Sequence, residues 1–294
     1  MVEDRQFSRR NFLKLAGVGL LALSGCHRFS LFGNNGKLPS YGGIDRLRVM
    51  SFNIANARGP TENFFRKVPS NEVYRNLDRI VELILDEKID VACMNEVDFN
   101  SFRTNNINQA KYMASRISKA TGYVDLIEDA FFSMPDFLDI GNAVISRYPL
   151  RVNKQKRFGR NADSNDRHLF KSYVDFSVLL GERSLDFILT HYDDRKSRVR
   201  NEETEMILER VRSKSKPFVI LGDLNSEPTE KCILTFLAHA GLHNPYLGPK
   251  TFPSWNPKIA IDHILVSEGL GICSYGTRDL SVSDHLPVIG EIIL

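Results

Sequence analysis

Between residues 45 and 294, short apolar runs alternate with amphipathic stretches. Leu47 to Ile54 and Ile89 to Val97 read as strands. Between them, Val73, Leu77, Ile80, Val81, Ile84 and Leu85 recur at helical spacing, which predicts an amphipathic helix over Glu72 to Glu87. Gln109 to Ala120 predicts a second helix, and Tyr123 to Ile127 and Asn142 to Ser146 predict strands. Phe170 to Leu180 and Ser184 to His191 read as strands joined by a hairpin turn at Gly181-Glu182. Arg198 to Arg212 predicts a helix with charges on its wet face, with Asp193 and Asp194 as its N-cap. Phe218 to Leu221 is a buried strand ended by Gly222, and Pro228 and Thr229 start a helix over Thr229 to Ala240. Ile261 to Val266, Ile272 to Tyr275 and Leu286 to Ile293 are the last strands. Strands at both ends with helices inserted between them imply an α/β architecture with mixed sheets. No repeat or linker divides residues 45–294, so one domain is expected.

The first 44 residues follow a different pattern. Ser8-Arg9-Arg10-Asn11-Phe12-Leu13-Lys14 resembles a twin-arginine export signal. The uncharged stretch from Leu15 to Leu23 is shorter than the about 20 apolar residues of a membrane span and fits the core of a signal peptide. Leu23-Ser24-Gly25-Cys26 resembles the lipobox of bacterial lipoproteins, in which the cysteine becomes the lipidated N-terminus. Residues 1–26 are therefore expected to be a signal peptide. Residues 27–44, with Asn34-Asn35-Gly36, Pro39 and Gly42-Gly43, are expected to be a flexible tether. The expected location is the bacterial cell envelope, with the protein exported by the twin-arginine route and anchored to a membrane by lipid at Cys26.

Charge sharpens the choice of partner. Of the 39 Lys and Arg and 36 Asp and Glu, residues 1–28 hold five cations and two anions, so residues 29–294 carry 34 of each sign. Phosphate-backbone binding usually shows as a large cationic excess, so nucleic acid is disfavoured as a partner. The exception is the run from Arg147 to Arg160, which holds Arg147, Arg151, Lys154, Lys156, Arg157 and Arg160 and no acid. It reads either as a solvated edge strand or as a contact to anionic lipid or a nucleic-acid backbone. Cys93, Cys232 and Cys273 lack C-x-x-C spacing, so neither a disulfide framework nor a zinc site is indicated, and Cys93 fits a core position.

Polar residues punctuate the ends of the apolar strands. Asn53, Glu96, His191, Asp223 and Asn225 follow strands, Asp262 and His263 open one, and Asp284-His285 precede the last. Strand ends converge at one rim of a sheet, so these side chains can meet in one cleft. Carboxylate and amide oxygens suit a hard cation such as Mg²⁺. With histidines beside them they suit hydrolysis of a phosphate ester. Taken singly, Asn53 reads as a turn former, Asp262 as an exposed strand start, and His168 and His263 as packing or surface residues.

The ordered set Ser51-Phe52-Asn53, Asn95-Glu96, Thr190-His191, Gly222-Asp223-Leu224-Asn225, Ile261-Asp262-His263 and Ser283-Asp284-His285 resembles the endonuclease/exonuclease/phosphatase superfamily, over essentially all of residues 45–294. The resemblance implies a four-layer α/β sandwich, with two mixed sheets face to face and helices outside. It implies a metal site at Glu96 and Asp284 supported by Asn53, for Mg²⁺, with Mn²⁺ or Ca²⁺ as alternatives. Asp223 would orient or deprotonate the attacking water, and Asn225 would hold a phosphate oxygen. His191 and His285 would be acid/base groups, with Asp262 orienting His285; which is acid and which base stays open. Asn142 matches a position near the site in relatives, and Arg167 is a candidate clamp on substrate phosphate. The residue before the metal glutamate is commonly Gln, and here it is Asn95. Thr251 to Pro257, with the sole Trp at 255, resembles a branch linked to membranes and glycosylphosphatidylinositol metabolism; its alternative is simple loop packing.

The expected activity is that of a monomeric, membrane-anchored, Mg²⁺-dependent phosphodiesterase or phosphatase acting on a lipid head group or other small phosphate ester. The alternatives are an envelope or secreted nuclease and a non-catalytic lipoprotein.

Overall fold

A computed structural model describes residues 26–32, 43–61, 66–134, 137–158, 171–214, 217–244, 246 and 248–294. The twin-arginine segment, Arg160, Arg167 and His168 lie outside the described residues.

Two mixed sheets form the centre. The chain runs β1 (Cys26–Phe32), β2 (Arg46–Asn53), α1 (Ser70–Asp86), β3 (Val91–Asp98), α2 (Gln109–Thr121), β4 (Tyr123–Met134), β5 (Leu138–Ser146) and β6 (Leu150–Arg157). It continues through β7 (Ser172–Leu180), β8 (Arg183–His191), α3 (Ser197–Arg212), β9 (Phe218–Asp223), α4 (Lys231–His239), β10 (Asp262–Val266), β11 (Gly271–Thr277) and β12 (Val288–Ile293). Among the described residues, one sheet has the order β1-β4-β5-β3-β2-β12-β11 and the other β10-β9-β8-β7-β6. Each has one parallel pair at its heart, β2 with β3 and β8 with β9.

Period-two alternation builds the layers. Leu47, Val49, Val91 and Cys93 face Val174, Phe176, Phe187, Leu189, Val219 and Leu221 in the core between the sheets. Met50, Phe52, Ala92 and Met94 face the other way, under the apolar stripes of α1 and α2. Ile188, Ile220 and Leu265 lie under α3 and α4. The result is the expected four-layer α/β sandwich. Cys93 is fully buried in the inter-sheet core.

Three local expectations need correction. The start of the expected tether, residues 27–32, belongs to edge strand β1, which pairs with β4. Phe29 and Leu31 pack on the core, while Arg28 and Ser30 hydrogen-bond the buried Asp125 carboxylate. The alternation of apolar and polar residues there was a strand signal. β4 runs seven residues past its expected end at Ile127, because Asp129 points into the protein and finds donors there. Asp193 is not the N-cap of α3; its Oδ1 accepts from the backbone N–H groups of Arg195 and Lys196 in a turn before the helix, whose N-cap is Lys196.

Candidate active site

Strand parity aims the key side chains. In β2, Asn53 shares the inner face with Leu47 and Val49, so it projects between the sheets at the strand's C-terminal end. Asp223 does the same beyond Val219 and Leu221, and His191 beyond Phe187 and Leu189. Register places Asp262 opposite Asp223, Asp223 opposite His191 and His191 opposite Ser172. These four lie in one row along the rim of the five-stranded sheet. Asn53 and Asn95 form the facing pair on the seven-stranded sheet.

Glu96 breaks the rule. Strict alternation would leave it on the helix side with Met94. Instead β3 bulges between Met94 and Val97, and Glu96 takes φ +52°. That turn brings its Oε1 to 3.9 Å from His191 Nε2. A buried polar cluster holds the bulge. Asn56 Nδ2 donates to the Glu96 carbonyl at 2.7 Å and to Asp98 Oδ1 at 2.9 Å. Asp98 also pairs with the fully buried Arg103 at 2.8 Å, and Gln109 links the Asp98 N–H to the Asn56 carbonyl. A glycine is required at 222: φ is +135°, and a Cβ there would lie 1.9 Å from the Thr190 carbonyl oxygen.

Asp223 is the hub. Its Oδ2 accepts from Asn53 Nδ2 at 3.0 Å and lies 3.4 Å from His191 Nε2 and 3.8 Å from His285 Nε2. Its Oδ1 accepts from the Asn225 N–H at 2.9 Å. Asn225, at φ +48°, donates its Nδ2 to the Tyr192 carbonyl. Asp262 Oδ2 meets His285 Nδ1 at 2.8 Å. Phe252 packs against that imidazole, with ring centres 4.9 Å apart. The Thr251–Pro257 loop thus packs on the site, and Ser254 donates to the Ser283 carbonyl. Trp255, at its tip, is 50% exposed.

The charges are interdependent. Burial opposes ionisation of Asp223, but His285, His191 and Lys171 act against that and hold the carboxyl well below its usual range. Glu96 is likewise disfavoured by burial and brought low by His191, Lys171, Arg58 and His285. Burial works against the imidazolium of His285, but Asp262 and Asp223 push its pKa up to about 10. Burial and the nearby Glu96 raise Asp284. Two carboxylates that disfavour each other's charge in a buried site, with the Asn53 amide nearby, are the donor set a hard divalent cation stabilises. Asp223, Asp262 and His285 bring ligand atoms within 4.8 Å of one another. The Asp262–His285 hydrogen bond already engages two of the three.

A profile of the Endonuclease/Exonuclease/phosphatase family matches residues 50–285. The chain belongs to this family. Its members hydrolyse phosphoester bonds, and the chain is a hydrolase of that class. No curated protein matches it. Solved structures match in fold. An endonuclease/exonuclease/phosphatase from Beutenbergia cavernae is 22% identical, with TM-score 0.63, over 85% of this chain and 72% of that one. The mannosyl-6-phosphatase of Bacteroides thetaiotaomicron is 18% identical, with TM-score 0.61, over 84% and 100%. The human Nocturnin catalytic domain, with bound sulfate, is 18% identical, with TM-score 0.62, over 90% and 97%.

Within this family cleft the structure gathers Asn53, Glu96, His191, Asp223, Asn225, Asp262, Asp284 and His285. Asn142 lies beside them, and its amide is fully engaged. Nδ2 donates to Asp129 and Ser172, and Oδ1 accepts from Asn95. Asn95 in turn donates to the Thr190 carbonyl and accepts from the Asp223 N–H. Asn in place of the usual Gln therefore still links the two sheets. His263 is a packing residue whose Nε2 meets the Ser226 carbonyl at 2.7 Å. Lys171 and Arg58 are additions. Neither sits in a recognisable motif, and only tertiary packing turns them toward the carboxylates.

Proposed function

We propose that the protein is a Mg²⁺-dependent phosphodiesterase or phosphatase, held at a bacterial membrane by lipid on Cys26, acting on a lipid head group or other small phosphate ester. The observation that carries the chemistry is the line Asp262–His285–Asp223, set beside Glu96 and Asp284. Glu96 and Asp284, with Asn53, are the residues that would hold the metal; when bound, it neutralises charge on the phosphoryl oxygens. Asp223 is too acidic to be a strong base, so it orients the attacking water. His285 keeps its proton, because Asp262 and Asp223 flank it, and donates to a phosphoryl oxygen as charge develops. Asn225 and His191 line the same pocket and position the remaining oxygens.

The membrane reading rests on the leader motifs and on register. Cys26 lies opposite Asp129, and Asp129 opposite Asn142, in a row that ends at the Glu96 bulge. Three strand spacings make the separation roughly 14 Å. A lipid on the first residue of β1 would thus hold the catalytic rim near the bilayer surface. The cationic run gives little support to a nuclease. Arg147 pairs with Asp90, Arg151 reaches Ser177, and Arg157 turns in to the Ala130 carbonyl. The described cations of the run lie along edge strand β6 and just before it.

The test is a panel of phospholipid, inositol phosphate, sugar phosphate, DNA and RNA substrates with the full chain and added metal. Turnover of a small or lipid ester with inert DNA and RNA supports the reading. Plasmid nicking without small-ester turnover overturns it in favour of a nuclease.

A further inference from the structure

Lys171 lies outside the set of residues assigned above. It is 7% exposed, and its Nζ sits 2.5 Å from His191 Nε2. Its charge acts on both Glu96 and Asp223. An ammonium has three N–H donors. Among the described residues, His191 is its hydrogen-bond partner and no carboxylate lies in ion-pair contact with it. Buried lysines are ordinarily paired. Lys214 shows how this same fold treats a structural one: its ammonium, 4% exposed, meets Asp175 at 3.0 Å and Asp186 at 2.7 Å. Among the described residues, Lys171 has the burial without a fixed counter-ion, beside His191 in the cleft that also holds Asp223.

Two cheaper explanations fit less well. A purely structural lysine would satisfy its donors on backbone carbonyls or carboxylates, as Lys214 does. A lysine serving only to hold His191 would align that ring from the side opposite the cleft. Lys171 instead meets Nε2, the nitrogen that also faces Glu96 and Asp223, while His191 Nδ1 is the buried atom with no partner. The ammonium is therefore inside the reaction space.

We propose that Lys171 is a substrate-binding residue whose ammonium donates to a non-bridging oxygen of the phosphoryl group, acting as a fixed cation beside the metal position. The ligand class is a phosphate ester, and the inference rests on the reading of this cleft as a phosphoester site. Substrate phosphate supplies the missing counter-ion. Before substrate arrives, the same charge opposes a metal ion held at Glu96, and the two cations cooperate once an anion lies between them.

That opposition gives a test with a sign a structural role does not produce. Titration calorimetry on the full chain would measure Mg²⁺ and inorganic phosphate binding for the native protein, Lys171→Met and Lys171→Arg. In Lys171→Met, phosphate affinity should fall about 10- to 100-fold, the worth of one charge-assisted hydrogen bond. Mg²⁺ alone should bind more tightly, because a like charge has left the site. Lys171→Arg should retain most of the phosphate affinity. Unchanged phosphate affinity in Lys171→Met, or Mg²⁺ and phosphate affinities falling together, overturns the proposal. If the native protein hydrolyses no phosphate ester yet Lys171→Met shows the opposed shifts, the hydrolytic reading fails and the Lys171 site stands. If hydrolysis is robust and the shifts are absent, only Lys171 fails.

Discussion

At the scale of single residues, the site is governed by which charges face which. His285 carries the largest consequence. Its pKa is pushed up to about 10 from an ordinary 6.5. The folded state therefore binds a proton that the unfolded chain releases between those values. The stability this contributes is fully present below pH 6.5 and is lost as pH rises through 10, with a slope of at most about 1.4 kcal/mol per pH unit. Chemical denaturation of metal-free protein across that range should show the decline, and His285→Gln should flatten it. Asp262→Asn should remove the charge that orients and holds the imidazolium, lowering kcat by about 10²-fold or more with KM little changed. Equal loss in both parameters would point to general misfolding of the site instead. Eight of these residues were legible because they flank apolar strands: Asn53, Glu96, His191, Asp223, Asn225, Asp262, Asp284 and His285. Lys171, Arg58 and Asp129 were not, because a lone charged residue in a strand gives no sign of the direction in which packing turns it.

At the scale of elements, two irregularities do the positioning. The bulge in β3 turns Glu96 off the helix side and into the cleft, and Asn56, Asp98, Arg103 and Gln109 hold that turn. Asn56→Ala removes two buried hydrogen bonds. It should cost about 1–3 kcal/mol of stability and weaken Mg²⁺ binding more than the same stability loss made elsewhere in the core, read by calorimetry against a Leu77→Ala control. Gly222 is the second irregularity. Gly222→Ala drives a Cβ into the Thr190 carbonyl, and the β8–β9 parallel pair cannot part without moving His191 and Asp223 together. Loss of soluble, folded protein is expected, measured by circular dichroism and yield. Hydrophobic periodicity disclosed the regular parts of these elements. It located α1 and α2 to within two residues at every end and placed the hairpin between β7 and β8. It did not disclose the bulge, since Val97 continues the apolar run and hides the extra residue. Nor did it disclose β1, whose Phe29 and Leu31 alternate with polar neighbours but follow a signal-like segment that masks them.

At the scale of the whole molecule, two sheets meet so that their parallel pairs end at one rim, and every candidate catalytic group lies there. The N-terminal strand reaches the same rim, so the lipid proposed on Cys26 would act as a fixed mount and not as a leash. Inserting a Gly/Ser spacer of about 20 residues between Cys26 and His27 would release it. For lipid-modified protein on vesicles, the spacer should lower turnover of an ester displayed on the vesicle surface and leave turnover of a soluble ester unchanged. Equal turnover of the surface ester with and without the spacer would argue against the mount. The balance of charge over residues 29–294 agrees with a small or lipid ester more than with a polynucleotide. The central claim is that the cleft centred on Asp223 hydrolyses phosphate esters with a divalent metal. The most direct test is the rate of p-nitrophenol release from bis-p-nitrophenyl phosphate and p-nitrophenyl phosphate, with Mg²⁺ and with chelator, by native and Asp223→Ala protein. Hydrolysis of at least one ester that vanishes with chelator and falls by about 10²-fold or more in Asp223→Ala is the predicted result; turnover indifferent to both chelator and substitution would contradict the account.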